Sequence, residues 1–117
     1  MEAVYILKQY SKVRANFHFF AGNNDDLKNI LAIGGSVSFT GVLTFTHDYD
    51  DLVKTVPLES IFSETDCPYV TPVPFRGKRN EPVYVIRVVK AIASIRGLEE
   101  VVVAEQMVKN VKDLFGV

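Results

Sequence analysis

The chain predicts an α/β unit of about three parallel strands with flanking helices. Three observations carry that prediction. Five stretches with apolar residues at helical spacing alternate with three short apolar runs rich in aromatic and β-branched residues. The connections between them are short, which favours parallel strands joined by helical crossovers. No internal repeat, low-complexity tract or linker breaks the alternation, so residues 1–117 read as one unit.

Residues 2–11 carry Ala3, Ile6, Leu7 and Tyr10 at helical spacing, and the chain opens on a helix. Residues 16–20, Asn-Phe-His-Phe-Phe, form a compact apolar run with one histidine, stopped by Gly22, and read as a buried strand. Asn24 is placed to cap a helix through Ile33, with Asp25 and Asp26 in its first turn and Gly34 just past its end. Residues 36–40 give a second strand of Ser, Val, Phe and Thr, closed by Gly41. A short helix runs from Asp48 or Tyr49 to Val56, where Pro57 stops it. The third strand spans 61–65. Asn80 is expected to cap a long helix over 81–96, with Pro82 in its first turn. Its buried stripe is Val85, Val88, Val89, Ile92 and Ile95, and Gly97 ends it. The last helix, 98–115, repeats the pattern through Val101, Val108, Val111 and Leu114.

Composition narrows the function classes. Hydrophobic residues at 48% and charged residues at 23% are those of a soluble globular protein. The 117 residues suit one domain but fall short of a complete (β/α)8 barrel, which takes about 250. A net charge of −1 provides no global field for nucleic acid, so any such attraction must come from a local patch. The single cysteine, Cys67, rules out an internal disulfide framework and suits a reducing compartment. No run of about 18 apolar residues occurs, and the first dozen residues lack a signal-peptide pattern. The expected address is therefore the cytoplasm, with no membrane partner. Three parallel strands leave two open hydrogen-bonding edges. Either these pair with another chain, as in a homo-oligomer, or the unit is one segment of a larger sheet.

Chemistry concentrates in residues 64–82, where carboxylates, a proline-stiffened loop and a basic cluster follow one another. Glu64 and Asp66 emerge at the C-terminal end of the third strand, and His18 sits near that of the first. Parallel strands bring all three to one rim, the place where α/β proteins put their chemistry. An imidazole and a carboxylate, His18 and Asp66, are reasonable ligands for zinc, manganese or magnesium, although a catalytic metal normally takes three protein ligands. The alternative is a structural histidine and a loop-capping aspartate. Glu64 is placed to orient a ligand or act as general base, or else to pair with Arg76 or Arg79. Arg76, Lys78 and Arg79 precede a helix N-terminus and could bind a phosphate there, or be a solvated charge run. Cys67 reads as a small packing residue, Phe17, Phe19 and Phe20 as core, and His47 with Asp48 and Asp50 as the loop leading into a helix.

Taken in order, these motifs resemble the TatD family of metal-dependent deoxyribonucleases and hydrolases. The resemblance rests on ETDCPY at 64–69 and RGKRNEP at 76–82, with FHFFAG at 17–22, SFTG at 38–41, and Asn110 followed by Leu114-Phe115-Gly116. It implies the C-terminal part of a (β/α)8 barrel, a partial TIM barrel, with one or two divalent ions (Mg, Mn or Zn) per complete site and DNA as substrate. By position it also implies His18 and Asp66 as metal-site residues, Glu64 beside that site and Arg79 in the loop near the substrate; with the reading of the residues themselves, Asp66 and Glu64 are the expected catalytic residues and Arg76, Lys78 and Arg79 the expected phosphate-binding ones. The family's His-x-His strand, bridging glutamate and a further strand histidine have no counterpart here. Activity is therefore expected to need a complementing N-terminal half. The rival expectation is a non-catalytic α/β module for oligomerisation or for phosphate or nucleic-acid binding.

Overall fold

Alternating apolar runs of two periods fold as the sequence directs. The computed structural model describes residues 2–10 and 12–117. Among these residues five helices, α1 (Glu2–Tyr10), α2 (Asn24–Ala32), α3 (Asp50–Thr55), α4 (Val85–Arg96) and α5 (Glu100–Phe115), flank strands β1 (Asn16–Phe17), β2 (Ser36–Phe39) and β3 (Ile61–Ser63), with α4 and α5 following one another after β3. Single 3-10 turns lie at Gly41–Thr44, Leu58–Ser60 and Pro82–Tyr84. The strands form one parallel sheet in the order β1-β2-β3, with Phe17 opposite Val37 and Val37 opposite Ile61. None of the described helices is long and apolar enough to cross a membrane.

Side chains alternate across the sheet, which gives it two unlike faces. Val37, Phe39 and Ile61 enter the core with Leu27 and Ile30 of α2, Val53 of α3, Val88 and Ile92 of α4, and Val103 of α5. The other face carries Asn16, Ser36, Ser38 and Phe62, and Phe62 is buried without joining that core. Asn16 Nδ2 donates to Ser38 Oγ at 2.6 Å, and Ser36 Oγ donates to Asn16 Oδ1 at 2.9 Å. A parallel sheet with its apolar helix layer on one face only is the geometry of a barrel wall, whose second face turns inward.

Two polar side chains fasten the helices, one to a neighbouring helix and one to the sheet. Arg96 Nη1 donates to the carbonyls of Val53 and Val56 at 3.0 and 2.5 Å, closing the C-terminal turn of α3. Asn110 Nδ2 donates to the carbonyls of Leu58 and Ile61 at 2.9 and 2.7 Å, tying α5 to the start of β3.

Several boundaries differ from the sequence expectation, each for a local reason. The first strand ends at Phe17 rather than residue 20, because Phe19 adopts φ 46 and turns the chain. Phe20 then sinks into the core, Phe17 is half-buried, and Phe19 stays exposed. Asn23, not Asn24, caps α2. Its side chain accepts from Asp26 N while Asp26 accepts from Asn23 N. The second strand stops at Phe39 because Thr40 turns to cap the next 3-10 turn, and the third stops at Ser63. The first helix was expected to reach residue 11, which lies outside the described residues. Its exposed Ile6 and Tyr10 are not the buried stripe, and Val4 is its one buried residue. In α5 the buried residues are Val103, Met107 and Asn110, whereas Val101, Val108 and Val111 are exposed.

Candidate functional site

The C-terminal ends of the three strands share one rim, and each sends a loop over it. His18 follows β1 directly, and Glu64 follows β3 directly, with its N–H still donating to Phe39 O at 3.0 Å. This brings His18 Nδ1 to 2.5 Å from Glu64 Oε2. The second oxygen of Glu64 accepts from the Phe19 N–H. The turn at Phe19 that shortens β1 is thus what presents that N–H to the carboxylate. Both oxygens of Glu64 are engaged, and neither Arg76 nor Arg79 pairs with it. With Nδ1 turned to the carboxylate, Nε2 is the nitrogen of this exposed imidazole that would face a ligand.

Asp66 lies two residues further along, exposed, with φ 53. Among the described residues three non-glycine residues take the left-handed conformation, Phe19, Asp66 and Val70, and all three lie in the loops that follow β1 and β3. Such backbone costs on the order of 1–3 kcal/mol per residue and persists only where the surroundings hold it. Around Asp66 and Val70 the holder is Asn80. Its amide is buried and donates to the carbonyls of Thr65 and Tyr69 at 2.7 and 2.6 Å, while its Oδ1 accepts from Glu81 N at 2.9 Å. The sequence pattern suggested that Asn80 caps a helix. Instead a 3-10 turn over Pro82–Tyr84 precedes α4, and Asn80 staples the loop that bears Asp66. The Cys67–Pro68 and Val73–Pro74 bonds in this loop are cis.

The loop after β2 buttresses the same segment. A Cβ on Gly41 would lie 2.7 Å from Val70 O and 3.0 Å from Pro72 Cβ, so only glycine lets the two loops approach this closely. Val73 N donates to Thr44 Oγ1 at 2.9 Å. Arg76 joins the same junction. Its Nη1 donates to Thr71 O at 2.8 Å and its guanidinium lies 4.1 Å from the centre of the Phe45 ring. The basic cluster is therefore split. Arg76 is engaged in the loop, and Lys78 and Arg79 are exposed, with no side-chain partner among the described residues. Arg79 borders a groove of about 430 Å³ with Cys67, Pro68, Asn80, Glu81 and Pro82. Cys67, expected to pack, is exposed there. His47 pairs with Asp50 at 2.9 Å at the start of α3, as the sequence suggested.

A divalent cation would find an imidazole nitrogen at His18 and a carboxylate at Asp66. Among the described residues no group of three or more His, Cys, Asp or Glu side chains could hold a metal. These donors fit part of a ligand set. Asn80 and Gly41 are the residues that sequence reasoning missed. The order Asn-x-Pro at 80–82 satisfied a capping rule, and a glycine needed for close approach leaves no periodic trace.

Comparison with known proteins agrees with this architecture. The family model described as TatD related DNase matches residues 1–116. The metal-dependent hydrolase YabD of Bacillus subtilis is 36% identical over 97% of this chain and 46% of its own length. The metal-dependent hydrolase YcfH of Escherichia coli K12 is 34% identical over 84% of this chain and 38% of its own. Among solved structures, the TatD homologue YjjV of E. coli superposes with a TM-score of 0.90 at 24% identity. That match covers 99% of this chain and 46% of the other. The chain thus corresponds to part of a TIM barrel, and it spans less than half the length of the curated relatives named here.

Proposed function

This chain belongs to the TatD family, and we propose that it supplies one part of the centre of a metal-dependent hydrolase that cleaves phosphodiester bonds in DNA. Its relatives are named metal-dependent hydrolases, which implies a metal ion. A divalent ion of the Mg, Mn or Zn class, one or two per complete site, supplies an activated water and neutralises phosphoryl charge when bound. His18 Nε2 and Asp66 are the donors this chain would offer. Glu64 has both oxygens occupied, which favours an orienting role over that of a free general base. Lys78 and Arg79, beside the groove, are placed to meet a phosphate, Arg79 through a two-pronged contact. Arg76 supports the loop beneath them.

The observation that carries this reading is the contact between His18 and Glu64, formed at the rim next to Asp66. Calorimetric titration of the purified chain with Mn²⁺ or Zn²⁺ tests it. Weak binding is expected, lowered at least about tenfold by His18→Ala or Asp66→Ala. Equal affinity in both variants would remove these residues from the metal site. In a labelled-oligonucleotide assay the chain is expected to need a complementing N-terminal half. Robust cleavage by the chain alone would end that part of the proposal.

A further inference from the structure

An aromatic ring carries a large apolar area, and in a folded chain most of that area finds a neighbour. Several rings in the loops after the strands are engaged in this way. The Phe45 ring lies under the Arg76 guanidinium, and Phe75 stacks on Tyr84 with centroids 4.3 Å apart. Tyr69 differs: it is 71% exposed, and neither its ring nor its hydroxyl has a partner among the described residues. Phe19, in the loop after β1, shows half as much, 36%.

The backbone under this free ring is fixed on both sides. Tyr69 N donates to Asp66 O at 3.0 Å, closing a four-residue turn, and Tyr69 O accepts from Asn80 Nδ2 at 2.6 Å. A turn of this kind keeps the Cα atoms of its ends within about 7 Å, so Tyr69 leaves the chain next to Asp66. Arg79 is set across from it. Asn80 N donates to Pro68 O at 3.1 Å, and the buried Thr71 donates through Oγ1 to Lys78 O at 2.6 Å. Residues 68–71 and 78–80 therefore pass one another in opposite directions. Tyr69 follows the first of these contacts on one segment, and Arg79 precedes it on the other. An uncovered ring and an exposed guanidinium thus rise from neighbouring places on two braced segments.

We propose that Tyr69 is a base-stacking residue of this rim: its ring takes the face of an unstacked nucleobase while Arg79 holds a phosphate of the same strand. The inference rests on the phosphodiester reading above and adds to it a residue that reads the base. A nucleotide strand alternates flat bases with phosphates, which matches a ring and a cation side by side. Because the Tyr69 backbone is already held, stacking orders only its two side-chain torsions. Every base has a π-face, so the contact selects for the presence of a base and not for a sequence. An apolar peptide suits the place less well, since Asp66, Lys78, Arg79 and Glu81 share the loop with the ring.

The probes are a short oligodeoxythymidylate and an abasic strand of equal length, titrated into the purified chain at low salt. The chain has no tryptophan, so tyrosine emission is read directly. The parent should bind the thymidylate strand more tightly, with its tyrosine emission quenched. Tyr69→Ala should lose at least about fivefold on that strand and nothing on the abasic one. Arg79→Ala should weaken both. Tyr69→Phe should keep the affinity and lose most of the quenching, which decides the matter even if the alanine variant folds poorly. Full quenching in Tyr69→Phe, or parental affinity in Tyr69→Ala, would overturn the stacking role and leave the phosphodiester reading standing. So would an equal loss on both strands in Tyr69→Ala. A parent that binds neither strand would overturn both.

Discussion

Replacing Asn80 with alanine removes three close hydrogen bonds at once, together with a longer one to Val70 O at 3.4 Å. The amide of Asn80 holds the Thr65 and Tyr69 carbonyls at 2.7 and 2.6 Å, and its oxygen holds Glu81 N at 2.9 Å. Asn80 is 2% exposed, so water cannot take over these groups unless the loop opens. At a net value of about 1 kcal/mol per bond the loss is about 3 kcal/mol. For a domain of this size that lowers the melting temperature by roughly 12 °C. The bond from Asn80 N to Pro68 O is a main-chain contact and survives the change. Asn80→Asp is the sharper variant, because it keeps the acceptor but turns a carboxylate toward two carbonyls. It should destabilise at neutral pH at least as much as alanine. Thermal unfolding by circular dichroism measures both. A fall of less than about 4 °C for Asn80→Ala, on the order of one bond, would refute the claim that this side chain holds the loop in its strained form.

Four further substitutions separate the supports of the rim from those of the helices. Gly41→Ala should cost about 1–3 kcal/mol in urea unfolding, since the new methyl meets Val70 O and the Pro72 ring; an unchanged midpoint would mean that the loops can part freely. Arg96→Met should lower stability by about 2 kcal/mol and speed amide exchange in α3, whose last carbonyls the guanidinium holds; unaltered exchange there would contradict that role. Arg76→Ala and Arg79→Ala should differ in kind. The first loses a carbonyl bond and a ring contact worth about 1–3 kcal/mol together, with little effect on oligonucleotide binding, and the second weakens binding with no change in melting. Identical behaviour of the two would dissolve the distinction drawn between them.

Much of the sheet was legible because its signal is local. Val37, Phe39 and Ile61 sit in short apolar runs between turn residues, and Val88 and Ile92 repeat at helical spacing, so the core could be read from pattern alone. The terminal helices misled the same rule, because spacing reports which residues favour burial and not which neighbour buries them. At the rim, His18, Glu64 and Asp66 were legible from their positions after strands. The bond between His18 and Glu64 was not, since it depends on Phe19 leaving strand geometry two residues after Phe17. Asn80 was misread for a related reason. Capping and loop stapling use the same amide, and only the path of residues 65–70 decides between them.

The polar contacts of Asn16 have a consequence for folding. Strands of two to four residues offer few main-chain bonds with which to choose one alignment over another. A slip by one residue would turn Val37 and Phe39 away from the helices and bring Ser36 and Ser38 into the core. It would also part Asn16 from both serines in the same movement. The mispaired form would therefore combine stranded apolar rings with unsatisfied polar groups. That double penalty lets so short a ladder settle on a single alignment.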